Sequence, residues 1–138
     1  MTTDVALREN VHTVALRPND FDWSLQLNNS VYLELFEIGR WQWCLANGID
    51  LKHHNLIGVV VRLEIDYIKP VLWNPVAELN IRTKLLKLEL YSIYFQQQLE
   101  DLQGKIMTKA LLRLALYDRQ QNIPVRIDLK KIKRSLTA

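Results

Sequence analysis

The sequence predicts an α+β domain in which one long, early helix is wrapped by a curved antiparallel β-sheet. Three observations predict it. Tyr32, Leu35, Phe36, Gly39 and Trp43 recur at helical spacing. Most of residues 57–117 alternates apolar and polar side chains at the two-residue period of a strand. Four strand-like stretches follow one another with no second long helix between them, which favours antiparallel over parallel pairing. The 138 residues are 49% hydrophobic and 24% charged, enough for one domain with its own core and outside the disordered range. No repeat, low-complexity tract or Pro/Gly/Ser linker divides the chain, so residues 1–138 read as one unit with a basic tail from about 128.

The elements follow in order. Residues 11–17 place Val11, Thr13, Ala15 and Arg17 on one face and His12, Val14 and Leu16 on the other, a short strand. A polar segment then ends in Asn28-Asn29-Ser30, all favourable helix-capping types. From Ser30 to Ala46 the pattern is helical. Val31, Leu33, Ile38, Trp41, Cys44 and Leu45 widen the apolar stripe until only Glu34, Glu37, Arg40 and Gln42 form a polar edge, and Asn47-Gly48 supplies the stop. Strands are expected over 57–69, 76–85, 88–99 and 105–117, with Pro70 ending the first and a turn at 100–104 before the last. The tail DLKKIKRSL reads as a short surface helix or a solvated end. A sheet of this kind has free edges, so a homo-oligomer is expected.

Composition excludes several classes. Eighteen Lys and Arg against fifteen Asp and Glu give +3, compatible with phosphorylated small molecules and too weak a bias for nucleic acid. A single cysteine, Cys44, leaves no internal disulfide and no thiolate metal cluster, and its apolar helical neighbours suit an inert thiol. His53-His54 lacks acidic or Cys ligands at metal spacing and reads as a loop, so no metal and no cofactor is expected. MTTDVALREN shows no secretory pattern and no apolar run is long enough to span a membrane, which makes a cytoplasmic setting the expectation.

Arg17-x-x-Asp20-x-Asp22, then Asn28-Asn29-x-x-Tyr32, then Glu37-x-x-Arg40 resembles the hot-dog-fold acyl-CoA thioesterases, in particular the 4-hydroxybenzoyl-CoA thioesterase branch. Asp66-Tyr67-Ile68-Lys69-Pro70 followed by Trp73-Asn74-Pro75 is similar to a strand end and turn of the same proteins. The resemblance runs from about Val11 to Tyr117. It implies a hot-dog fold, hydrolysis of an acyl- or aroyl-CoA to acid and CoA, and a site shared between subunits of a homodimer or homotetramer. One departure stands out: Leu25-Gln26 occupies the place where the family usually carries Gly-His, a Gly suited to an unusual backbone or a close ligand approach.

Thioester hydrolysis needs a nucleophile or its activator, and donors for the oxyanion. Asp22 matches the family's catalytic carboxylate, attacking directly or deprotonating water. The unpaired N–H groups opening the helix, Asn29 above all, suit the oxyanion. Asp20, Asn28, Glu37 and Tyr32 are supporting candidates, and Leu25 and Gln26 are substrate-binding ones. Asp20 is expected to raise the Asp22 pKa by like-charge repulsion. Each has a plainer alternative: a turn residue for Asp22, a structural carboxylate for Asp20, helix caps for the Asn pair, an i, i+3 ion pair for Glu37 with Arg40. Tyr32, Trp41 and Trp43 read as core or subunit packing, with an acyl-pocket wall as the alternative. Surface cations for CoA phosphates are Lys84, Lys87, Arg113, Arg119, Lys130, Lys131, Lys133 and Arg134. Two further functions fit the same residues: a non-catalytic thioester-binding protein, and a thioesterase acting on acyl-carrier protein.

Overall fold

The computed structural model describes residues 7–73 and 77–133. Its elements are β1 (Asn10–Ala15), α1 (Asn29–Ala46), β2 (Leu56–Tyr67), β3 (Glu78–Leu88), β4 (Ile93–Glu100), β5 (Ile106–Asp118) and a two-residue β6 (Pro124–Val125). The sheet order is β1-β3-β4-β5-β2, every neighbouring pair antiparallel, with β6 on β5. β6 pairs with Leu116 and Tyr117, just past the β4–β5 pair Ile93–Leu114, so it prolongs the sheet beyond the start of β4. The predicted architecture is thus present: one long helix on an antiparallel sheet.

The helix packs by its predicted stripe. Val31, Tyr32, Leu35, Phe36, Gly39 and Trp43 are buried, each large one contributing on the order of 2 kcal/mol of burial free energy. The large ones share one core cluster with Leu79 and Ile81, inward residues of β3, and with Phe95, an inward residue of the adjacent β4. Gly39 permits the close seat. A Cβ there would lie 2.5 Å from Ile81 Cγ2, 2.8 Å from Gln97 Nε2 and 2.9 Å from Thr83 Oγ1. Beneath it Gln97, wholly buried, donates from Nε2 to the Phe36 carbonyl and to Thr83 Oγ1, both at 2.9 Å, and its Oε1 accepts from Arg40 Nη1 at 3.1 Å. This buried amide is satisfied at both ends, as one in a core must be.

Several expectations need correction. Leu33, Ile38, Trp41 and Leu45 are exposed, so one chain covers only one side of the helix. The expected Glu37–Arg40 ion pair is absent among the described residues because Arg40 turns inward to the Gln97 oxygen. β3 runs on to Leu88 and β4 begins only at Ile93, with Glu89–Ser92 forming the hairpin, Glu89 N–H donating to the Ser92 carbonyl at 2.9 Å. The predicted alternation of β2 breaks at Val61, where a bulge shifts the register against β5 and leaves Val61 exposed. As far as Lys133, the C-terminal segment forms no helix and packs onto the domain. Leu129 and Ile132 are buried, and Asp50 N–H donates to the Ile132 carbonyl at 2.7 Å. Asn74, Pro75 and Arg134 lie outside the described residues.

Candidate active site

The loop between β1 and α1 is a small hairpin. Phe21 bridges Leu27, Asp22 N–H donates to the Gln26 carbonyl at 2.8 Å, and Leu25 N–H donates to the Asp22 carbonyl at 2.9 Å. A second segment straps it from outside. Leu27 N–H donates to the Val71 carbonyl at 2.8 Å, Trp73 N–H to the Leu25 carbonyl at 2.9 Å, and the Phe21 and Trp73 rings meet edge to face. This gives Ile68-Lys69-Pro70 a use that the sequence alone did not reveal, since it turns the end of β2 back onto the Asp22 loop.

Asp22 organises the turn. Its Oδ1 accepts from the Ser24 hydroxyl at 2.7 Å, the Ser24 N–H at 2.9 Å and the Gln26 N–H at 3.1 Å. Asp-x-Ser is an ordinary signal for such an Asx turn, so the structural alternative raised for Asp22 is realised. Its other oxygen, Oδ2, accepts no hydrogen bond among the described residues. The Ser24 hydroxyl first, then the Gln26 and Ser24 backbone N–H groups, hold the carboxyl below its ordinary value, against a smaller opposing effect of burial. The expected elevation by Asp20 does not occur. Asp20 is buried and faces the other way, with Oδ2 accepting from Arg17 N–H at 2.7 Å and Oδ1 from Arg17 Nη2 at 3.0 Å. Burial works against its charged form, yet the Arg17 hydrogen bonds and charge outweigh it and keep the carboxyl low. Because the folded value is depressed, the stabilisation is complete above the unfolded value near 3.9 and fades as pH falls through the folded one. Asp20→Asn is expected to cost about 1–2 kcal/mol at neutral pH, and its deficit in urea midpoint shrinks below about pH 4.

Leu25 sits at φ +64°, the left-handed region that favours Gly. The loop therefore holds a Gly-type conformation with a leucine in it. The strain for an L-residue is about 1–2 kcal/mol, and Gly's extra unfolded freedom recovers about 0.5–1 kcal/mol. The Leu25 side chain is 57% exposed, so little burial is at stake. Leu25→Gly is expected to raise stability by about 0.5–1 kcal/mol, read from urea midpoints.

The helix start follows at once. Asn28 holds the N-cap position without a side-chain cap hydrogen bond, and its own N–H donates to the Asp20 carbonyl at 2.8 Å. Val31 N–H donates to the Asn28 carbonyl at 2.9 Å. Among the described residues the N–H groups of Asn29 and Ser30 have no acceptor, and no acidic side chain stands in the first helical turn. Two open donors at the positive end of an 18-residue helix thus lie three and four residues beyond Gln26, which is hydrogen-bonded to Asp22. Tyr32 is buried in the first turn against the Tyr67 ring, at 4.9 Å between centroids and nearly perpendicular, and burial pushes its hydroxyl pKa up.

The remaining candidates are dispersed. Glu37, exposed and two turns along α1, stands on the rim of two apolar concavities beside Arg40. His53 Nδ1 pairs with Asp50 Oδ2 at 2.6 Å and His54 Nδ1 with the Asp50 carbonyl at 2.8 Å, a loop closure. Cys44 is half-buried, and burial pushes its thiol up to about 11. Lys87 lies 4.5 Å over the Tyr94 ring and 3.7 Å from Glu89. The loop also shows what the sequence reading left out: Trp23 stands at its tip, 96% exposed, beside exposed Leu25 and Leu72.

A family model described as the thioesterase-like superfamily matches residues 16–135. No curated protein matches the sequence. Among solved structures, a DHNA-CoA thioesterase from Staphylococcus aureus superposes with a TM-score of 0.79 at 16% identity, over 87% of this chain and 81% of its own. A probable thioesterase from Bartonella henselae gives 0.79 at 21%, over 88% of this chain and 100% of its own. A second S. aureus protein, solved in complex with CoA, gives 0.76 at 9%, over 99% and 93%. At these identities the likeness is one of fold, the hot-dog fold.

Proposed function

The chain belongs to the thioesterase-like superfamily, and on that footing we propose that it hydrolyses an acyl- or aroyl-CoA to the free acid and CoA. Asp22 acts as nucleophile or general base, and the N–H groups of Asn29 and Ser30 stabilise the oxyanion. The observation that carries this reading is the pairing of an ionised carboxylate, one oxygen fixed by its own loop and the other open, with two unpaired amides at the following helix start. With Oδ1 anchored, Oδ2 meets the thioester carbonyl from a preset direction. Charge building on the carbonyl oxygen falls to the helix start, where one such donor is worth about 3 kcal/mol in the transition state. A depressed Asp22 pKa keeps the carboxylate charged throughout the neutral range. kcat/KM should therefore stay flat as pH falls from 7 to about 4 and drop only below the usual carboxylate range. A profile with its acid limb near 6 would contradict Asp22.

The site is proposed to be completed by a second copy. Among the described residues β2 is a twelve-residue edge strand, hydrogen-bonded to β5 on one side only, and it carries exposed Val60 and Val61. Leu33, Trp41, Trp23, Leu25 and Leu72 add exposed apolar surface along the helix and at the loop. Light scattering should show at least a dimer.

Glu37 supports a second reading. It is exposed and borders both apolar concavities, whereas Asp22 is committed to its turn through one oxygen. Release of free thiol from aliphatic and aromatic acyl-CoAs tests the activity itself. Turnover above background for one class at least is expected, and binding without turnover for all would identify a non-catalytic thioester-binding protein.

A further inference from the structure

Among the described residues Arg40 is the one cation that borders the two apolar concavities beside α1. One, of about 110 Å³, reaches Trp43, Phe95 and Leu114, and the other, of about 240 Å³, reaches Phe36, Val60 and Leu63. Arg40 is half-buried, and its Nη1 donates to the Gln97 amide oxygen at 3.1 Å. Its Nε and Nη2 have no acceptor among the described residues, and both keep some accessible surface. Burial pushes the Arg40 pKa down, and the charge of exposed Glu37 offsets that only in part.

A neutral amide is a poor sole partner for a guanidinium drawn out of water. Charges in such places are normally paired, and the forked donors of arginine match a carboxylate. A plain alkyl chain laid against Arg40 would strip its remaining water and offer no acceptor, leaving a desolvated charge uncompensated. A chain ending in a carboxylate offers two. Glu37 does not fill this role, because it faces solvent and forms no ion pair with Arg40 among the described residues.

We infer that Arg40 is the receptor for a second, free carboxylate on the acyl group, so that the substrate class is an ω-carboxyacyl-CoA and not a plain alkanoyl-CoA. This rests on the proposed thioester hydrolysis at the helix start. The geometry also sets a length. Arg40 meets Gln97 beside the Phe36 carbonyl, which places its head between the levels of Phe36 and Arg40 on the helix. That is roughly 10–16 Å along the axis from Asn29. An extended chain advances about 1.3 Å per bond, so an acyl group of about ten carbons brings its far carboxylate to Arg40.

The test reads a ratio, which a loss of folded enzyme leaves untouched. Wild type should prefer decanedioyl-CoA to decanoyl-CoA by at least tenfold in kcat/KM, the worth of a charge-assisted hydrogen bond. Methyl esterification of the far carboxyl should abolish that preference, a comparison that needs no variant. Arg40→Gln should bring decanedioyl-CoA and decanoyl-CoA to parity. A wild type that hydrolyses decanoyl-CoA as well as decanedioyl-CoA overturns the receptor. So does an Arg40→Gln variant that loses activity on both alike, as a purely structural role demands. An Arg40→Gln variant that turns monomeric with its ratio unchanged also overturns it, and gives Arg40 to a carboxylate of a second copy. Calorimetric binding of the two acyl-CoAs to wild type reads the site without turnover. If neither is hydrolysed but decanedioyl-CoA binds at least tenfold tighter, the receptor stands and the hydrolysis reading falls; equal binding overturns the receptor.

Discussion

Asp22→Asn is expected to lower kcat for the best acyl-CoA by at least a hundredfold, with little change in KM. The amide keeps the size of the side chain, and its oxygen still accepts from Ser24 and Gln26, so the loop holds its shape. What disappears is the negative charge on the open oxygen, which the proposed chemistry uses and the turn does not. Glu37→Gln is the matched control. If Asp22 carries the reaction, Glu37→Gln changes kcat by no more than a few-fold. Should the two variants exchange these effects, the reaction belongs to the rim of the helix-side concavities and the Glu37 reading replaces the first.

The largest effect on stability is expected from Gly39→Ala, a substitution that improves helix propensity by about 1 kcal/mol. At this position the added methyl meets Ile81, Gln97 and Thr83 at 2.5–2.9 Å, and all three are wholly buried with no space to retreat. Overpacking of this kind costs about 1–3 kcal/mol. Displacing Gln97 also breaks its bonds to the Phe36 carbonyl, Thr83 and Arg40, leaving buried polar groups unpaired at a further 1–3 kcal/mol or so. The losses exceed the gain, so net destabilisation of at least about 2 kcal/mol is expected in urea unfolding. A neutral or stabilised Gly39→Ala would mean that the helix is not seated this closely on the sheet.

Gly39 also shows what could and could not be read ahead of the structure. Its place in the apolar stripe was legible from spacing, as were the buried faces of Leu79, Ile81 and Thr83 on β3. Those patterns are local, repeated several times in one element, and enforced by burial. The need for a glycine over Gln97 was not legible, because it arises between residues nearly sixty positions apart. The inward turn of Arg40 has the same origin. Its nearest charge in sequence is Glu37, yet the acceptor it reaches lies on β4.

The hairpin at Glu89–Ser92 was hidden for a different reason. Leu-Glu-Leu-Tyr-Ser carries no Gly, Pro or Asn to mark a turn, and its aromatic and aliphatic residues favour a strand. At the candidate site, Asp22 and the Asn pair were singled out through a motif that resembles that of hot-dog thioesterases. Their neighbours in space came only with the fold: the Val71–Trp73 strap on the loop and Arg17 on Asp20. The low Asp22 pKa was within reach of the sequence, since Asp-x-Ser predicts the Asx turn that causes it. Leu25 at a left-handed position was not, for a leucine gives no sign of φ above zero.

The most direct measurement is a crystal structure with an acyl-CoA analogue whose thioester sulfur is replaced by a methylene. The carbonyl oxygen should lie about 2.9 Å from the N–H of Asn29 or Ser30, with an Asp22 carboxylate oxygen facing the carbonyl carbon. A carbonyl found beside Glu37, with the helix start facing only solvent, would contradict the account.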